Sequence, residues 1–212
     1  LAILDGGRLL RQRVDAGHLL EDLGYQIRTT YPYPIAYRWR TVEAMHSRRD
    51  TNGTIEATLA CFEILLCYLS QAVLAMGHAT GDQVQALAQI RNKVDSGRSG
   101  PSLGDWTQLL DEVATSRRYR AYERPHLFAE VRDMHSDHVR GAMKLLAERR
   151  NDEAHLRAGT TATNRRVVDD LVEALRTVLR AARFIADMPL LHVTGVAWDS
   201  LRQRATVEHR VL

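Results

Sequence analysis

Apolar residues recur at three- and four-residue spacing along most of the chain, and breakers separate the runs. That period places them on one face of a helix, so the pattern predicts a succession of amphipathic helices. After Gly6 and Gly7, Leu9, Leu10, Leu19, Leu20 and Leu23 stand among charges and predict a helix whose continuity the pattern leaves open. Pro32 and Pro34 mark a turn, with Pro34 suited to the start of the next helix. The longest run predicts a helix from about Asn52 to Met76, ended by the stretch GHATG, and a further helix near Asp82 to Lys93. Beyond the loop DSGRSGPSLG, Ser102 and Asp105 stand three apart as in a capping box, and Trp106 begins an apolar face. The stretches YERPHLFAEVRDMH and DHVRGAMKLLAERRNDEAHL predict two more helices, and TTATN offers caps for a last one in RRVVDDLVEALRTVLRAARFIADM. After Pro189 the texture changes. LLHVTGVAW and RATVEHRVL are short β-branched runs around DSLRQ, which predict a small β-hairpin, or a strand pair cut short where the sequence ends.

These elements predict an all-α fold with one main domain, residues 1–188, and a short β appendage, 189–212, read as the start of a truncated segment. There is no internal repeat. Ala57 to Ala75 is apolar enough to suggest a membrane span, but Glu63, Ser70 and Gln71 interrupt it. Glu56, Glu63 and Ser70 recur every seven residues, which describes one polar stripe on a buried helix. The only cysteines, Cys61 and Cys67, lie inside the same apolar run and read as buried reduced thiols, with a cytoplasmic location as the default. The chain opens on Leu1 without a basic leader and is read as lacking a signal peptide and as part of something longer.

Charge narrows the function classes only slightly. Against 26 acidic residues stand 29 basic ones, nearly all arginine, for a net charge of +3; a polyanionic partner is compatible with this excess but not demanded by it. Tyr33, Tyr37 and Trp39 among Arg38 and Arg40 fit either a base-stacking surface or, more commonly, helix packing. The glycines of the loop before Ser102 lack the pattern of a phosphate-binding loop and read as a helix connection. His135, Asp137 and His138, with His126 nearby, invite a metal, but their spacing does not match ligands four apart on one helical face, so no metal site is expected. Nucleophile-elbow and HExxH motifs are missing too.

The informative stretch is AERRNDEAHLRAG, residues 147–159. On a helical wheel at about 100° per residue, Val139, Met143, Leu146 and Ala154 fall on one face, and Arg150 falls among them. A guanidinium placed there is costly unless an anion or a hydrogen-bonding group meets it. Asn151 and His155, four apart, share a different face with Lys144 and Glu148. In an unbroken helix Arg150 and His155 would point roughly 140° apart, so a joint site requires a bend in the helix or a second copy of the chain. Three readings stay open: a helix end where Arg150 reaches past its apolar stem, a phosphate contact, or an ion pair with an acidic residue such as Glu56 or Glu63.

Arg150-Asn151-Asp152-Glu153-Ala154-His155 resembles the R-x4-6-H signature of the HEPN superfamily, in which a polar residue commonly follows the arginine. The resemblance implies an up-down helical bundle over about Asp5 to Met188 and, in many members, a metal-independent endoribonuclease whose motifs meet across a homodimer. It implies RNA as substrate, no cofactor, and Arg150, Asn151 and His155 as the catalytic group. His155 would move a proton to or from the attacking 2′-hydroxyl or the departing 5′-oxygen, Arg150 would hold the phosphate, and Asn151 would orient one of them. Arg149, Arg157, Arg165 and Arg166 flank the motif and would track the RNA backbone, unless they are ordinary solvated surface. A toxin or antiphage effector with a regulatory partner or flanking domain is the setting the family suggests. The competing expectations are a catalytically silent dimerisation or ligand-sensing bundle of the same fold, and an unrelated helical adaptor.

Overall fold

The computed structural model describes residues 17, 22–82, 84–97, 100–154, 165–188 and 190–211. Among them are eight α-helices and one antiparallel two-stranded sheet, so the fold is all-α with a terminal β-hairpin. The helices are α1 (Leu23–Thr30), α2 (Tyr33–Ser47), α3 (Thr51–Thr80), α4 (Ala86–Asp95), α5 (Leu103–Thr115), α6 (Leu127–Met134), α7 (Asp137–Ala154) and α8 (Arg165–Ala181); the strands are β1 (Leu191–Asp199) and β2 (Arg204–Val211). The helix expected before Leu23, the caps expected in TTATN, and both His155 and Arg157 lie outside the described residues.

The chain divides into two compact units, Arg38–Ala182 and the pair of segments Leu1–Tyr37 and Arg183–Leu212. In the larger unit α3 is the central element. It packs against α5, α6, α7 and α8, while α7 packs on α8 and α5 on α4 and α6. Asp50 starts α3 as its N-cap, accepting from the Gly53 N–H at 2.9 Å. Phe62, Leu65, Leu66, Leu69 and Val73 are almost wholly buried along it. Its length and apolar character are enough to cross a membrane, but its polar stripe is used inside the bundle: Ser70 is buried and its Oγ donates to the Trp106 carbonyl at 3.3 Å. Cys61 is buried as well, and loss of solvent pushes its thiol up to about 12, against a smaller opposing effect of the Arg38 charge. Cys67 is only part-buried.

The helix α3 runs four residues past the expected end at Met76. Gly77 is not its stop: it is buried, and a Cβ there would come within 3.0 Å of the Asp82 carbonyl oxygen, so this glycine serves close backbone approach. The stop is Gly81, at φ 74°, the left-handed conformation that glycine adopts without a Cβ penalty. Helix α4 starts at Ala86 rather than Asp82, because the Asp82 carboxylate is held elsewhere, by Tyr122 Oη (2.5 Å), Thr80 Oγ1 (2.8 Å) and Arg118 Nε (3.1 Å). The first amides of α4 are met from α5 instead: both oxygens of Glu112 accept, from the N–H groups of Gln85 and Ala86, each at 2.8 Å.

Ser102 and Asp105 meet as the spacing predicts. Asp105 Oδ2 accepts from both the backbone N–H and the hydroxyl of Ser102 at 2.7 Å, and Oδ1 takes the Lys93 ammonium at 2.5 Å. Burial alone would raise this carboxyl's pKa. The lysine and the two serine donors outweigh that and hold it below its ordinary 3.8. Because the folded value is the depressed one, the stabilisation is present above pH 3.8 and is lost as pH falls through the folded value. Melting temperatures followed from pH 5 to pH 2 should therefore drop, with a shallower drop in Asp105→Asn. Equal slopes would remove Asp105 from the acid transition.

Candidate functional site

Helix α7 presents its faces as the wheel predicts. Val139, Met143 and Leu146 are buried, and Arg150, on the same stripe, turns to α3. Its Nε and Nη2 both lie 3.2 Å from Oε2 of Glu63, the middle member of the seven-residue stripe. Of the two acidic partners considered for Arg150, Glu63 is thus the one used, while Glu56 is exposed. The pair is not buried: the side chains of Arg150 and Glu63 remain 39% and 43% exposed. One carboxylate oxygen takes one edge of the guanidinium and fixes its plane, and the Nη1 edge lies outside this contact.

The neighbouring candidates point elsewhere. Asn151 is exposed, about 100° around the helix from Arg150. Lys144 and Glu148, expected on its side of α7, pair with each other at 3.7 Å. Arg149, turned about as far in the other direction, lines a groove of about 750 Å³ between α7 and α8. Ala142, Leu145, Val167 and Leu171 give that groove apolar walls, and Asp137, Glu148, Asp152, Asp170 and Glu173 rim it. On a chain of net charge +3 this is a local reversal of sign. Among the described residues, then, Arg149, Arg150 and Asn151 are not gathered at one point.

Arg165 and Arg166 are exposed at the start of α8. A helix N-terminus carries partial positive charge, so two arginines there add to that potential instead of compensating it. Arg165 lines a small pocket of about 50 Å³ with His46, Arg49, Thr51, Thr54 and Asp169. His46 Nε2 and Asp169 Oδ1 are 3.0 Å apart, and Arg49 forms the turn between α2 and α3 at φ 59°. Sequence reasoning did not connect His46 and Arg49 with Arg165; the only local signal is the basic stretch HSRRD before the α3 cap. Thr54 and Glu63 are nine residues apart on α3, about 14 Å along its axis. At about 100° per residue they also fall on opposite faces of α3, so this helix does not bring Arg150 and the Arg165 pocket to one place.

The histidines that suggested a metal have other work. The His126 ring caps α6, accepting from Phe128 N–H at 3.3 Å, and stacks on Tyr122 with centroids 4.1 Å apart. The side chain of His135 is buried, with Nδ1 2.9 Å from the Val131 carbonyl and Nε2 3.4 Å from Asp111 Oδ1, and His138 is exposed on the groove. Among the described residues no group of three or more His, Cys, Asp or Glu is placed to hold a metal ion. The aromatic residues divide: Trp39 is buried under the Arg176 guanidinium, 5.7 Å from the ring centroid, while Tyr33 and Tyr37 are exposed and stacked on each other at 6.0 Å. No protein-family model, curated protein or solved structure matches the chain.

Proposed function

We propose that the chain is a HEPN-like, metal-independent endoribonuclease domain that cleaves RNA as a homodimer. The observation that carries this reading is Arg150: an arginine on a core-facing stripe, oriented through one edge by Glu63 and still 39% exposed. The Glu63 ion pair by itself suits the adaptor reading as well; what favours the ribonuclease is that the pair leaves part of the guanidinium exposed, with its Nη1 edge outside the contact. An arginine meant for a phosphate gains from being held in plane before the ligand arrives.

In this reading the substrate supplies its own nucleophile. His155 accepts the proton of the 2′-hydroxyl, the oxygen attacks the adjacent phosphorus, and the bond to the 5′-oxygen breaks. The second histidine of the dimer returns a proton to that oxygen, leaving a 2′,3′-cyclic phosphate and a 5′-hydroxyl. Arg150 stabilises the charge growing on the nonbridging oxygens, and Asn151 orients the histidine or the phosphate. Arg165 and Arg166 suit backbone tracking by their exposure and their position at the α8 N-terminus, with Arg157 in the connecting segment. Arg149 suits it least, because carboxylates rim the groove it lines. A toxin or antiphage role rests on the family analogy alone.

The test is incubation of structured and unstructured RNA with the chain in EDTA, beside His155→Ala. Cleavage that survives the chelator, leaves cyclic phosphate ends and disappears in the variant is expected. Cleavage that persists in His155→Ala, or that requires a divalent cation, overturns the proposal. The acidic-rimmed apolar groove between α7 and α8 favours a second reading, a catalytically silent bundle that senses a cationic, partly apolar ligand. A folded dimer that cuts no RNA points to that one.

A further inference from the structure

The hairpin has two unlike faces, and a β-bulge creates the difference. Val193 pairs with His209 and the next pair is Gly195 with Glu208, so Thr194 is left out of the register. Strict alternation would put Leu191 and Val193 on one face with Gly195 and Ala197, and would send Val196 and Trp198 to the other. The extra residue restarts the alternation. Leu191, Val193, Val196 and Trp198 consequently share one face with His209, Val207 and Ala205, while His192, Asp199, Arg204, Thr206, Glu208 and Arg210 occupy the opposite one. The five large apolar side chains of the first face are 45–66% exposed.

We infer that this face is a self-association surface, on which two copies of the chain pack hairpin against hairpin across a twofold axis. Three features select a second copy as the occupant. The face carries no Asp, Glu, Lys or Arg, so stacking two copies buries no ion and offers nothing to attract a charged partner. Its relief is graded: Trp198, beside the small Ala205, stands at the turn end, and Leu191 and Val193 stand at the base. An antiparallel twofold arrangement lays the tryptophan of each copy over the smaller residues of the other, which is the self-complementarity that such symmetry demands. The area also suffices. At roughly 100 Å² for each large exposed side chain, two faces bury about 1,000 Å², near the lower bound of specific interfaces. A lone two-stranded hairpin is marginal in water, and a second hairpin packed about 10 Å away supplies the core it lacks.

Sedimentation equilibrium over a dilution series tests this, with circular dichroism as a check that the helices persist. Wild type is expected at the mass of two chains at the concentrated end, and Trp198→Glu at the mass of one with unchanged helical signal. Val196→Cys, near the centre of the face, should cross-link copies on mild oxidation, and Thr206→Cys on the opposite face should not. A wild-type monomer throughout, a Trp198→Glu dimer, or equal cross-linking through residues 196 and 206 overturns the inference. Because mass is read without RNA, a silent dimer sinks the ribonuclease reading alone.

Discussion

If the chain is the ribonuclease proposed above, Arg150→Ala is expected to slow its RNA cleavage by about 10²–10³-fold, the usual cost of removing a donor that stabilises charge in a transition state. Its effect on folding should be far smaller. The ion pair with Glu63 is about two-fifths exposed on both sides, and pairs of that kind contribute roughly 0.2–1 kcal/mol, or about 2–4 °C at most in melting temperature for a chain of this size. Glu63→Gln separates the two roles. It removes the charge that orients Arg150 but leaves an oxygen to accept from the guanidinium, so cleavage should fall much less than in Arg150→Ala while stability changes about equally. Arg150→Lys keeps the charge without the fork of donors and should stay close to the alanine variant. If all three variants cut RNA at the wild-type rate, Arg150 is only a structural partner of Glu63, and the adaptor reading takes its place.

The largest effect on stability is expected from Phe128→Ala, about 3–5 kcal/mol. Phe128 is fully buried on α6, with ring centroids 4.7 Å from Tyr119 and 5.1 Å from both Tyr122 and His126. Tyr122 in turn donates to Asp82, whose other partners are Thr80 and Arg118. Removing the ring therefore loosens the turn between α3 and α4 as well as the α6 core. Chemical denaturation should show a lower midpoint at unchanged slope. Tyr122→Phe combined with Phe128→Ala should cost less than the sum of the two, because the first ring already positions the second. A loss below about 1 kcal/mol for Phe128→Ala would show that the cluster collapses around the missing ring.

Periodicity made most of the fold legible. The positions of the core helices, the Ser102–Asp105 capping pair and the hairpin after Pro189 all follow from spacing and local chemistry. Residues that act at long range escaped it. GHATG holds two glycines, and only the packing tells that Gly77 admits the Asp82 backbone while Gly81 ends the helix. Asp82 resembles a helix start in the sequence, yet its hydrogen-bond partners at Arg118 and Tyr122 come 36 and 40 residues later. Alternation alone cannot announce the omission of Thr194 from the strand pairing, which decides which side chains share a face. For the candidate site, the wheel placed Arg150 correctly against the core and left Glu56 and Glu63 open as partners. It could not select Glu63, since the choice depends on the height at which α7 crosses α3.

Helix α4 has ten residues, a length at which an isolated helix is marginal in water. Gln85, at its N-cap position, makes no side-chain cap, and the carboxylate that meets its first amides is Glu112, in the following helix. The start of this short helix is thereby satisfied by a carboxylate from a stretch of chain some 26 residues later, so its first turn depends on tertiary contact as well as on its own sequence.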